Sequence, residues 1–129
     1  MDEAKILGML KLNPIAIKNI DNPTEEMKII ALKRDGLLLR YIENTTKEME
    51  EIAIKSNPRA IEFVENPSEE MMKYAVLAGW SNLNYIKKPS YDVIKLAIEQ
   101  RGWAIQYVKE VAEELQIMAV RKDYDSIKY

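Results

Sequence analysis

Apolar and polar positions along this chain repeat with a period of 22 residues, without a gap. We predict that the buried stripe of the first helix falls at positions five, eight, nine and twelve of each period, the spacing of an amphipathic α-helix. A turn signal at positions 13 and 14 and apolar residues at positions 17 and 20 predict a second, short helix of about eight residues. Six repeats cover the chain: 1–22, 23–44, 45–66, 67–88, 89–110 and 111–129.

Each repeat opens with the signature of a helix start. Five of the six second positions hold good N-cap residues, and the sixth holds Ala112. Acidic residues follow directly, where they meet the positive end of the helix dipole. The N-cap candidates are Asp2, Thr24, Thr46, Ser68 and Ser90. The acidic residues after position two recur at the start of the first helix in every repeat. We therefore interpret them as stabilising the helix start and not as a catalytic pair or a cation site.

The predicted turn of each repeat separates its two helices. Position nine is alanine in the last five repeats, which indicates close approach of a neighbouring segment. The turn positions use residues that end helices. They read Asn13-Pro14, Asp35-Gly36, Asn57-Pro58, Gly79-Trp80, Arg101-Gly102 and Asp123-Tyr124.

A hairpin of this size cannot bury its own apolar face, and stacking on its neighbours buries it instead. The sequence therefore predicts an all-α fold, an α-solenoid of six stacked helix-turn-helix repeats that forms a single repeat domain over residues 1–129.

Composition excludes several function classes. The 129 residues contain no cysteine and no histidine, and the formal net charge is −2. The commonest general base, the commonest metal ligands and a thiolate nucleophile are thus absent, and the four glycines are too far apart for a phosphate-binding loop. No apolar run approaches the ~18 residues of a membrane span. We expect a cytoplasmic protein that is not an enzyme and holds no metal or cofactor.

The repeat pattern of an acidic pair, Met, Ala-Ile, a turn such as Asn57-Pro58, and then Ala-Ile-x-Tyr-Ile resembles a domain-of-unknown-function family of tandem helical-hairpin repeats. That family occurs in bacterial, phage and large-virus proteins. The resemblance implies a protein-binding role and no catalytic residues. It favours a small phage or bacterial inhibitor or adaptor that occludes a larger protein, such as a host defence component in the host-cell cytoplasm.

The fourth repeat departs most from the pattern, and its turn is apolar where other turns are charged. Aromatic residues near consecutive turns would line one edge of a solenoid, and clustered aromatics are typical interface anchors. The predicted protein-binding residues are Trp80, Trp103, Tyr124, Leu77 and Met72. The alternative is that each ring folds back to fill space left by small neighbours.

A second hypothesis is nucleic-acid binding through basic residues at the ends of the first helices. The candidates are Lys33, Arg34, Lys55, Arg121 and Lys122. The column is interrupted by Leu77, Ala78 and Glu99, so we expect a protein partner rather than nucleic acid.

The last repeat ends three residues short and leaves Ile117 and Met118 uncovered in the predicted stack. Either this C-terminal repeat pairs with a second copy in a homodimer, or the sequence stops early.

Overall fold

The computed structural model describes residues 2–108 and 111–127, with the side chains of residues 2–108 and 111–124. These residues form helices joined by short connections, with no strand among them. The predicted all-α helical repeat is confirmed. The α-helices start 22 residues apart: α1 Glu3–Leu12, α2 Glu25–Arg34, α3 Lys47–Ser56, α4 Glu69–Ala78, α5 Tyr91–Gln100 and α6 Glu113–Ile127.

The predicted N-caps hold the starts of α1 to α5. In each case the side-chain oxygen accepts a hydrogen bond from the backbone N–H three residues later, as Ser68 Oγ does from Met71 N at 3.2 Å. Such a cap stabilises a helix by about 1 kcal/mol. The same bond is made by Asp2, Thr24, Thr46 and Ser90.

The second helix of each repeat is shorter and tighter than predicted. Five 3₁₀ helices of six residues follow α1 to α5: Pro14–Asn19, Gly36–Tyr41, Pro58–Phe63, Trp80–Tyr85 and Gly102–Tyr107. Each ends at an extended residue, such as Ile42. The chain then turns back, through a left-handed asparagine at Asn22 (φ 50°) and Asn44 (φ 53°), a conformation that asparagine tolerates better than most residues. Because the backbone becomes extended after six residues, the second helix cannot reach the predicted length of eight.

The sixth repeat has no turn where one was predicted. The prediction of a break at Asp123-Tyr124 is wrong, because α6 continues through both residues to Ile127. The other five turns all contain a proline or a glycine, which disfavour a continuing α-helix. Asp123-Tyr124 contains neither, so nothing in the local sequence stops the helix.

The chain divides into two compact halves, an N-terminal half, Met1–Glu65, and a C-terminal half, Asn66–Tyr129. In the N-terminal half, α2 packs against α1 and α3 and against the 3₁₀ helices that precede and follow it. In the C-terminal half, α5 packs in the same way between α4 and α6. Each half thus has a core built by successive repeats. Among the described residues, no helix has the length and apolar content to cross a lipid bilayer.

The alanine at position nine marks where the chain packs most closely. Ala31, Ala53, Ala75 and Ala97 are completely buried. At Ala53 and Ala119 the segment that approaches is the start of the preceding 3₁₀ helix. A Cβ on Gly36 would overlap the backbone carbonyl of Ala53, and a Cβ on Gly102 would overlap that of Ala119.

Candidate functional site

Trp103 is an exposed tryptophan of the C-terminal half. It is the second residue of the 3₁₀ helix Gly102–Tyr107 and is 57% exposed. The Arg101 guanidinium lies 5.1 Å from the ring centroid, a cation–π contact that orients the indole without covering it. An exposed indole held in place is suited to contact a partner.

Trp103 borders an open cavity of about 540 Å³ between this 3₁₀ helix and α6, which we call the Trp103 groove. Val120 of α6, which also lines this cavity, is 70% exposed. Apolar walls with a few polar groups at the rim are the usual lining of a binding groove. The groove is lined by Gly102, Trp103, Ile105, Gln106, Val108, Val111, Gln116, Ala119, Val120 and Asp123.

Tyr124 extends this apolar surface along α6. It is 65% exposed and lies four residues after Val120. Ile117, which is 47% exposed, lies three residues before Val120. Residues at this spacing share one helix face. Exposed apolar side chains therefore follow α6 for two turns beside the Trp103 groove.

Trp80 has a different environment from Trp103. Its ring is half-buried and stacks on Tyr107, with the ring centroids 6.1 Å apart and the planes 26° apart. A 3₁₀ helix turns by about 120° per residue, so Tyr107 and Trp103 leave the same helix in directions roughly 120° apart. Internal packing, the alternative considered for these rings, therefore describes Trp80 but not Trp103.

The other two predicted contact residues differ in exposure. Leu77, near the end of α4, is 63% exposed and is available to a partner. Met72 is only 8% exposed and belongs to the core of the C-terminal half. Its buried side chain offers almost no area for contact with a partner.

The basic candidates for nucleic-acid binding are exposed, but only Lys33, Arg34 and Lys55 lie at helix ends as predicted, because α6 continues beyond Arg121 and Lys122 to Ile127. In the N-terminal half, Ser56 Oγ donates to the Lys33 carbonyl at 3.4 Å and accepts from Gly36 N–H at 3.1 Å, which joins the ends of α2 and α3. Lys33, Arg34 and Lys55 lie at these ends. Arg121 and Lys122 lie on α6 of the C-terminal half. The structure thus brings the first three together within one half.

Among the described residues, the surroundings shift the pKa of two ionisable groups. A hydrogen bond with the Glu114 carboxylate raises the pKa of Tyr91 above its usual value. Burial raises the pKa of the Glu50 carboxyl on α3. No group of three or more acidic side chains converges among the described residues in a way that could hold a metal ion.

The shift at Glu50 predicts a pH effect on stability. Because the folded-state pKa lies above the ordinary value of 4.5, the native state binds more protons in that pH range, and stability falls as pH rises through it. Glu50→Gln should flatten this dependence and slightly stabilise the protein at neutral pH. Urea unfolding from acidic to neutral pH measures both, with Glu48→Gln on the same helix as the control. An equal offset at every pH would contradict the prediction.

Sequence reasoning missed a second cavity of the C-terminal half, which we call the lysine groove. It has a volume of about 730 Å³ and follows the end of one repeat and the start of the next. Its lining is Asn84, Ile86, Lys87, Lys88, Pro89, Ile94, Tyr107 and Val108. The signal in the sequence is Lys87-Lys88, where the three preceding repeats have an acid followed by asparagine.

Comparison of the chain with protein-family models, curated proteins and solved structures finds no match.

Proposed function

We propose that this protein is a non-enzymatic protein-binding module that grips a larger protein through its C-terminal half. The observation that carries the proposal is that two exposed apolar side chains, Trp103 and Val120, line the same groove. Tryptophan is enriched among residues that dominate binding energy, and it acts best beside a pocket. Leu77 and Tyr124 add exposed apolar area in the same half.

The distribution of exposed apolar side chains supports the choice of half. Among the described residues, the N-terminal half exposes the large apolar residues Leu12, Ile15 and Tyr41. The C-terminal half exposes more of them. They are Tyr74, Leu77, Tyr91, Trp103, Ile117, Val120 and Tyr124. Exposed apolar surface of this kind marks interaction sites.

The biological role that the repeat resemblance favours is that of a small phage or bacterial inhibitor in the cytoplasm. In this role, binding would occlude the working surface of a partner such as a host defence protein. The absence of histidine and cysteine from the sequence agrees with a function that needs no nucleophile and no general base.

Trp103→Ala tests the proposal. In affinity capture from nuclease-treated lysate of the native host, the parent should retain a protein partner, and the variant should bind that purified partner at least about tenfold more weakly, the loss typical of a central aromatic contact. Tyr41→Ala removes an exposed aromatic from the N-terminal half and should bind like the parent. Circular dichroism confirms that both variants are folded.

Three other outcomes would redirect the proposal. Equal binding by Trp103→Ala and the parent would move the contact surface away from the Trp103 groove. Capture of no protein from nuclease-treated lysate, together with capture of nucleic acid from untreated lysate that is lost on substitution of Lys33, Arg34 and Lys55, would favour the nucleic-acid alternative. A dimer in light scattering that Val120→Asp dissociates would make a second copy the occupant of the α6 face.

A further inference from the structure

The lysine groove has a counterpart in the N-terminal half, and the two differ in chemistry. Each groove lies where one repeat ends and the next begins, and the residues lining the lysine groove correspond one by one to residues lining its counterpart, 66 positions earlier. The counterpart is smaller, about 450 Å³ against about 730 Å³. The counterpart groove therefore serves as a reference, within the same protein, for the residues that line the lysine groove.

The counterpart in the N-terminal half is lined by a lysine that is already bonded within the groove. Lys28 Nζ donates hydrogen bonds to the carbonyl oxygens of Glu43, at 3.0 Å, and Asn44, at 3.5 Å. Tyr41 in the same groove makes cation–π contacts with the Lys18 ammonium, 5.6 Å from its ring centroid, and with the Arg40 guanidinium, 4.6 Å from it. The groove's cations are thus engaged by the protein itself.

The lysine groove differs from its counterpart at five of its eight lining positions, and at two of them Asn84 replaces Lys18 and Val108 replaces Ile42. Ile94 replaces Lys28, so no ammonium group crosses the groove from this position. Lys87 and Lys88 replace Asp21 and Asn22, which exchanges one carboxylate for two ammonium groups. The floor becomes aliphatic and the rim becomes positive.

The two ammonium groups and the aromatic wall are available to a ligand. Lys87 and Lys88 are exposed, and no carboxylate within the described part of the chain lies within ion-pair distance of either. Tyr107, which forms one wall, is held by its stack on Trp80. A wall fixed in advance costs less entropy on binding.

We infer that the lysine groove binds an acidic peptide segment of a partner protein. One large aliphatic or aromatic side chain of the segment packs between Ile94, Val108 and Tyr107. Flanking aspartate or glutamate side chains pair with Lys87 and Lys88. The inference rests on the proposed function, since it names the chemistry of a partner segment at a second surface of the same half.

Charge and lining favour a peptide over a nucleic acid. A phosphate backbone is bound by a series of cations that neutralise several phosphates, and this groove offers two adjacent lysines above an aliphatic floor. The chain as a whole carries a net charge of −2, which repels a polyanion. An acidic segment needs only local complementarity.

Selection from a phage-displayed library of random linear dodecapeptides tests the inference, with the parent protein as target and the Lys87→Glu/Lys88→Glu variant for counter-selection. Enriched peptides should combine at least two acidic residues with one Leu, Ile, Phe or Trp. Fluorescence polarisation of the enriched peptides should show binding weakened about tenfold or more by the double charge reversal. This effect should shrink with added salt, because screening weakens exposed charge pairs.

Two further variants separate the groove from general electrostatics. Lys33→Glu/Arg34→Glu makes the same change in net charge in the N-terminal half and should alter affinity by less than about twofold. Ile94→Lys restores the residue of the counterpart groove and should weaken binding by occupying the space of the apolar anchor. The folded state of each variant is checked by thermal melting.

The inference is overturned if no peptide is enriched, if enriched peptides lack acidic residues, or if both double charge reversals weaken binding equally. Binding of oligothymidylate that is lost in Lys87→Glu/Lys88→Glu, without enrichment of peptides, would assign the groove to nucleic acid instead. Failure of these tests beside Trp103-dependent capture of a protein partner would leave the proposed function standing and remove only the peptide groove.

Discussion

Replacing Gly36 by alanine is expected to destabilise the protein by about 2–3 kcal/mol, within the range of an overpacked core. The added Cβ would overlap the Ala53 carbonyl oxygen and would lie 2.9 Å from the carbonyl carbon. That oxygen already accepts a hydrogen bond from Asn57 N–H at 2.8 Å, within the last turn of α3. Relief of the overlap must therefore move helix backbone and strain this bond.

Space, and not backbone conformation, makes glycine necessary at position 36. No glycine of the described chain has a positive φ, so an alanine could adopt the local backbone without strain. The contact is also not unique to one half, because a Cβ on Gly102 would overlap the Ala119 carbonyl oxygen and lie 2.7 Å from the Asp123 carboxyl carbon. Gly102→Ala should destabilise in the same direction.

Gly8→Ala is the matched control for Gly36→Ala. Gly8 lies inside α1, and a Cβ there would meet nothing within 4 Å. Alanine should therefore stabilise α1 by about 0.5–1 kcal/mol through its higher helix propensity. Urea unfolding followed by circular dichroism gives both free energies. A Gly36→Ala variant within about 0.5 kcal/mol of the parent would show that the two backbones separate easily.

The starts of the α-helices could be predicted because they depend on local interactions. A capping side chain bonds to a backbone N–H only three residues away, as at Ser68. The buried stripe was predicted only in part, because position ten is buried instead of position twelve, where Leu12 is 86% exposed. The second helices were harder, since six residues are too few to distinguish a period of 3.0 from one of 3.6. The continuation of α6 depends on the lack of proline and glycine at Asp123-Tyr124. The sequence shows this lack, but a turn was predicted there because the other five repeats have one.

The candidate surface could be predicted only where it depends on one repeat. Trp103 stands out in its own repeat and remains exposed. Trp80 stands out equally, but its stacking partner Tyr107 comes from the next repeat, 27 positions later, and sequence spacing does not reveal ring orientation. Lys87-Lys88 was accessible to sequence reasoning through comparison of equivalent positions. The sequence alone does not show that these two lysines line a groove, or that Ile94 stands there in place of the lysine of the counterpart groove.

Val76→Ala and Val120→Ala are expected to differ by about 2–3 kcal/mol in their effect on stability. Both valines occupy position ten of their repeats, yet Val76 is completely buried and Val120 is 70% exposed. Truncation of Val76 removes buried apolar groups worth about 0.8 kcal/mol each and leaves a cavity, for a total cost of about 2–3 kcal/mol. Truncation of Val120 should cost nothing or stabilise α6 slightly, because alanine is the better helix former.

The comparison also tests whether the α6 face is open in solution. Position ten is at most 2% exposed in the first five repeats, at Leu10, Leu32, Ile54, Val76 and Ile98. Within the described part of the chain, α6 contacts α5 and the 3₁₀ helix Gly102–Tyr107, and no 3₁₀ helix of its own repeat packs on it. Urea unfolding at low and high protein concentration measures the cost at Val120. A loss above about 1 kcal/mol that grows with protein concentration would mean that a second copy covers this face, since association stabilises by mass action. A cost near zero at all concentrations would leave Val120 free to join Trp103 in holding a different partner.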